Sequence, residues 1–73
     1  MNSYRLGDVL RVPAEITGKP STGIIVALSK GRYHIRVTID GSAVPTVILQ
    51  RTAEELDSEG FIKVSNGEAQ VAI

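Results

Sequence analysis

The chain has 73 residues, a formal net charge of zero, 42% hydrophobic residues, one histidine and no cysteine. That length holds one domain, residues 1–73, and excludes disulfides, thiolate metal sites and a multi-histidine metal centre within one chain. A domain this small buries only about 60% of the surface its unfolded chain exposes, so association with a protein partner or in a homo-oligomer is an expected source of stability.

No apolar run approaches the roughly 18 residues of a membrane span. Residues 1–10 lack the basic start and apolar stretch of a leader peptide. Together with the missing cysteine, this gives a cytoplasmic expectation. The charges are uneven. Residues 1–51 hold seven Lys/Arg against three Asp/Glu, a net of +4, and residues 52–73 hold one against five, a net of −4. Such a split can give a folded surface regions of opposite sign.

In chain order, the first expected strand is Asp8–Val12, with Leu10 and Val12 inward and Val9 and Arg11 outward. Pro13 stops it, having no N–H to give a ladder. A loop from Pro13 to Thr22 follows, rich in Gly, Pro, Ser and Thr, with Ile16 as its one large apolar residue. Ile24–Leu28 is an apolar run ending at Ser29-Lys30-Gly31. From Arg32 to Asp40, Tyr33, Ile35, Val37 and Ile39 alternate with Arg32, His34, Arg36 and Thr38, the period of a half-buried strand.

Two-residue turns at Lys30-Gly31 and Asp40-Gly41 are expected, glycine accepting the positive φ they need. The first sets Leu28, Val26 and Ile24 opposite Tyr33, Ile35 and Val37. The second sets Val44, Thr46 and Ile48 opposite Val37, Ile35 and Tyr33. Between Arg51 and Gly60, Thr52 with Glu55 three residues later forms a capping-box pattern, predicting one short helical turn near residues 52–57, 3₁₀ in character, with Leu56 inward and Asp57, Ser58 and Gly60 ending it. Phe61–Ser65, the turn Asn66-Gly67 and Glu68–Ile73 form a last expected hairpin.

Gly7-Asp8-x-Leu10-x-Val12, a long arm, Gly23-x-Ile25, a tight hairpin, a further strand, one helical turn and a last strand resemble the SH3-like small β-barrel, over Gly7 to about Val64. The resemblance implies an all-β barrel of five to six antiparallel strands. It reaches the superfold only, which hosts many functions. Strand 68–73 exceeds its pattern and would extend the barrel or reach another subunit.

Catalytic chemistry is poorly provided for. His34 is the one histidine, the residue type most used for general acid–base work, and it is expected on an outward face between Arg32 and Arg36. No serine has the setting of a nucleophile. Glu54, Glu55, Asp57 and Glu59 read as a solvated helical face. Gly18-Lys19 fails as a phosphate loop because Pro stands at positions 13 and 20. No catalytic residue, metal or cofactor is expected, and a non-enzyme is the reading.

In the register above, Ile25, Val47 and Leu49 face outward beside Ala27, His34 and Pro45. Contiguous outward aliphatics mark interfaces when nothing covers them. The leading expectation is therefore a protein-interaction or self-association module using Ile25, Val47 and Leu49, with His34 and Arg36 at the rim. Two alternatives stand beside it. One is nucleic-acid binding along a basic stripe of Arg11, Lys30, Arg32 and Arg36, against which stand the few aromatics and a pI near 6.5. The other is an enzyme whose site forms only between subunits.

Overall fold

The computed structural model describes residues 4–41 and 47–65. The turn Asn66-Gly67 and the strand Glu68–Ile73 of the expected C-terminal hairpin, and Val44 and Thr46 of the expected third meander strand, lie outside the described residues. Among the described residues, five antiparallel strands form one sheet: β1 (Val9–Val12), β2 (Ser21–Ser29), β3 (Arg32–Ile39), β4 (Val47–Arg51) and β5 (Ile62–Ser65), in the order β4-β3-β2-β1-β5. Two short helices complete it, α1 (Ala14–Thr17) between β1 and β2 and α2 (Ala53–Glu59) between β4 and β5. This is an all-β domain, as the alternation predicts.

β1 and β3 carry the clearest alternation and keep it. Leu10, Val12, Ile35 and Val37 are buried, and Arg32 and Arg36 are exposed. With Tyr4, Ile25, Leu56 and Phe61 they make the core, against which Ile16, Tyr33, Leu49 and Ala53 pack. The Lys30-Gly31 turn is also as expected: both residues have positive φ, 54° and 76°, and Leu28 pairs with Tyr33. That left-handed pair matches the twist of the strands it joins.

Several expectations need correction. The arm from Pro13 to Thr22 is not all loop. Residues 14–17 wind into one helical turn, and β2 starts at Ser21, where it pairs with Ile39.

The second correction is a β-bulge in β2. Ile25, rather than Val26, lies opposite Ile35, and Gly23, rather than Ile24, lies opposite Val37. One unpaired residue inverts the facing of everything N-terminal to it. The core accepts this frame because Gly23 has no Cβ: one built there would lie 2.5 Å from Ile35 Cγ2 and 3.3 Å from Val12 Cγ2.

The third concerns Asp40-Gly41, which does not close a two-residue hairpin. Val37 pairs with Val47, three residues beyond the expected Val44. The cause is a competing set of bonds. Asp40 N–H donates to the Pro20 carbonyl at 3.0 Å, and its carboxylate lies 3.0 Å from Arg11 Nη2, so β3 runs on beside β2 instead of turning. The odd shift reverses the facing of β4.

α2 is an α-helix of seven residues, longer than the turn expected, and it continues through Asp57 and Ser58. The Thr52 hydroxyl accepts from Glu55 N–H and the Glu55 carboxylate accepts from Thr52 N–H, the full capping box. Gly60, at φ 93°, ends the helix with its N–H on the Leu56 carbonyl. Leu56, wholly buried, is the one buried residue of α2.

Candidate functional site: the outer face of the sheet

The corrected registers redistribute the predicted contact residues. Ile25 is 1% exposed and belongs to the core. Leu49, opposite Ile35, packs half-buried against that core, and Val47, opposite Val37, lies on the same inner side at the open edge. His34 and Arg36 occupy the other face. The expected patch of Ile25, Val47 and Leu49 rimmed by His34 and Arg36 is therefore no single surface. The bulge at Val26 moves Ile25 inward, and the long β3–β4 connection does the same to Leu49.

The same shifts build a different outer face. Val9 pairs with Ile24, Ile24 with Arg36 and Arg36 with Ile48, so four strands contribute one row across the sheet. Val9 and Ile24 are half-buried, while Arg36 is exposed and Ile48 is 54% exposed. On one side of this row lie Ala27, His34 and Gln50, paired in that order, and on the other Arg11, Thr22 and Thr38. Ile62 pairs with Arg11, and Ile62 and Val64 of β5 are also exposed. Sequence alternation could have found this face only with the frames of β2 and β4 known.

The cations divide unequally. Arg11 donates to Thr22 Oγ1 at 2.6 Å and pairs with Asp40, Arg32 lies 3.7 Å from Glu55, and Arg51 Nε lies 2.9 Å from Glu59. Arg36 is the strand arginine with no ion pair among the described residues. Of the basic stripe expected from Arg11, Lys30, Arg32 and Arg36, two members are thus engaged with carboxylates.

Hydrogen bonding from Arg11 holds the Asp40 carboxyl below its ordinary range, aided by the Arg11 charge and the Thr22 hydroxyl and opposed by lost solvation. Glu55 is lowered chiefly by the Thr52 N–H, with Arg32 and Arg51 contributing against lost solvation. A folded-state pKa below the unfolded one gives stability that is present above the unfolded value and lost as pH falls through the folded one. The unfolding midpoint is therefore expected to drop as pH descends from about 4.5. The double variant Asp40→Asn/Glu55→Gln should show a shallower pH dependence in the same thermal melts, and an equally steep one would refute the assignment.

A second cluster, which sequence reasoning did not assemble, ties down the N-terminal arm. Asp8 is completely buried. Its Oδ2 accepts Arg5 N–H at 2.8 Å and lies 3.3 Å from Lys63 Nζ. The Tyr4 hydroxyl donates to Asp57 Oδ1 at 2.5 Å, and Tyr33 donates to the Tyr4 carbonyl at 3.0 Å. The two rings meet edge to face with centroids 5.8 Å apart, and the Lys63 ammonium stands 5.8 Å from the Tyr4 centroid. These groups satisfy one another, and the cluster clasps the arm to α2, β3 and β5. No sequence signal joins residues so far apart in the chain.

Comparison with known protein families, curated proteins and solved structures returns no match. Among the described residues no three His, Asp or Glu side chains converge as metal ligands, and no helix is long and apolar enough to cross a membrane. The outer face is thus the surface whose composition asks for an explanation: aliphatics left in solvent around a guanidinium with no ion pair among the described residues.

Proposed function

We propose that this chain is an SH3-like small barrel acting as a non-catalytic interaction module, and that it engages a protein partner through the outer face of its sheet. The fold reading is supported by the strand order β4-β3-β2-β1-β5, with β5 returning beside β1 and a helix just before it. The observation that carries the functional reading is the row Val9, Ile24, Arg36, Ile48. A small domain that leaves Ile48 and Ile62 more than half exposed on one face keeps apolar area available for another surface. The basic stripe is the weaker basis, because Arg11 and Arg32 already face acids.

Ile48→Asp tests the reading. Binding of peptides selected from a random dodecapeptide display library on the wild-type protein is expected to weaken about tenfold to a hundredfold, since a buried isoleucine contributes roughly 1.5–3 kcal/mol. Thermal stability should change little, because the position is exposed. Peptides that bind Ile48→Asp as tightly as wild type would remove the outer face from consideration.

A further inference from the structure

Resting on that reading of the outer face, we propose that its partner is an amphipathic helix carrying one Asp or Glu within its apolar stripe, the carboxylate meeting Arg36 between Ile24 and Ile48. Three observations converge on this occupant.

The first is charge. Arg11, Arg32 and Arg51 each face a carboxylate of their own chain, whereas Arg36, at the centre of the outer face, faces none among the described residues. The acid nearest that surface in the pairing scheme, Asp40, is taken by Arg11 and Thr22. Among the described residues the face therefore offers a guanidinium and no spare anion. A guanidinium within an apolar contact is favourable only when a carboxylate meets it, and such charge-assisted bonds are roughly twice as strong as neutral ones.

The second is the exclusion of a second copy. A two-fold axis near Arg36 would bring it toward its own counterpart, with no free carboxylate among the described residues of the outer face to separate the two charges.

The third is spacing. The row Val9, Ile24, Arg36, Ile48 crosses the strands, whose separation is about 4.8 Å, so its ends lie roughly 14 Å apart. Residues i, i+3, i+7 and i+10 of a helix lie on one face and span about 15 Å at a rise of about 1.5 Å per residue. An extended strand repeats a face only every 6.6 Å or so and falls out of step after one residue. The helix that fits carries aliphatics at i, i+3 and i+10 and an acid at i+7.

The test is a display library of an 18-residue alanine-rich helix, randomised at i, i+3, i+7 and i+10 and selected on wild type, Arg36→Glu and Ile48→Asp. Wild type is expected to enrich Asp or Glu at the third position with aliphatics at the other three. Arg36→Glu should switch that position to Lys or Arg, and Arg36→Gln should weaken a synthetic copy of the winning peptide about tenfold. A charge switch in step with residue 36 supports the proposal. Aliphatic winners that are lost on Ile48→Asp but indifferent to residue 36 would overturn the carboxylate partner while leaving the outer-face reading intact. Winners indifferent to both variants would overturn both. No enrichment on wild type, binding of a 20-nucleotide single strand that Arg36→Gln abolishes, or a dimer in light scattering that Ile48→Asp dissolves would each overturn the proposal.

Discussion

Gly23→Ala is expected to lower the unfolding midpoint by about 4 to 24 °C, the consequence of roughly 1–3 kcal/mol of overpacking in a domain of this size. Strand glycines are ordinarily poor residues, and alanine in their place usually stabilises. Here the sign reverses because the new methyl would sit 2.5 Å from Ile35 Cγ2 and 3.3 Å from Val12 Cγ2. Neither neighbour can swing away. Both are β-branched, stiff at χ1, and buried to within 3% of completely. Thermal melts of Gly23→Ala, Ile35→Ala and the double variant separate crowding from propensity, the double being less destabilised than the sum of the singles. A Gly23→Ala protein as stable as wild type would mean that the space is not closed.

Leu56→Ala should cost about 2–5 kcal/mol, the range for truncating a buried leucine. The loss extends beyond its own contacts. A seven-residue helix is far too short to persist alone, and Leu56 is its one buried anchor. Releasing α2 also releases Asp57 from Tyr4, Glu55 from Arg32 and Glu59 from Arg51. Denaturant melts give the total, and hydrogen exchange of α2 amides should rise by more than that of β3 amides. Leu56→Met, which conserves volume, should cost less than about 1.5 kcal/mol. Equal protection of α2 in wild type and Leu56→Ala would show that the capping box and ion pairs hold the helix without the core.

These two positions illustrate what a single sequence carries about this fold. Leu56 was readable: Thr52 and Glu55 announce the helix start, and the apolar residue after them points inward. β1 and β3 were readable too, because polar residues at alternate positions leave one frame only. Gly23 was not, because Ile24-Ile25-Val26-Ala27-Leu28 is apolar at every position and satisfies either frame equally. What selects the frame is long-range: the close approach of Ile35 and Val12 at Gly23, and the bonds that Ile25 exchanges with Gly7 and Asp8. Asp40-Gly41 misled for the same reason. A local turn signal was outweighed by an arginine 29 positions away. The contact residues inherited both errors. His34 and Arg36, placed by the unambiguous strand, stayed outside, while Ile25 and Leu49, placed by inference from turns, did not.

The extra residue at Val26 makes β2 a strand of two parities. Ser21, Gly23 and Ile25 supply the buried side before it, and even-numbered Leu28 supplies the position facing Tyr33 after it. Side-chain identity at Val26 itself is loosely constrained, as that residue is paired with nothing across the ladder and is exposed. Chain length there is loosely constrained too. Removing Val26 would join the two halves in one regular ladder with every pairing kept, Ile25 opposite Ile35 and Ala27 opposite His34; keeping the residue while closing the bulge is what would drive Ile24 against the inner layer and Ile25 into solvent. Position 26 is thus where this chain tolerates almost any letter, and the loss of one.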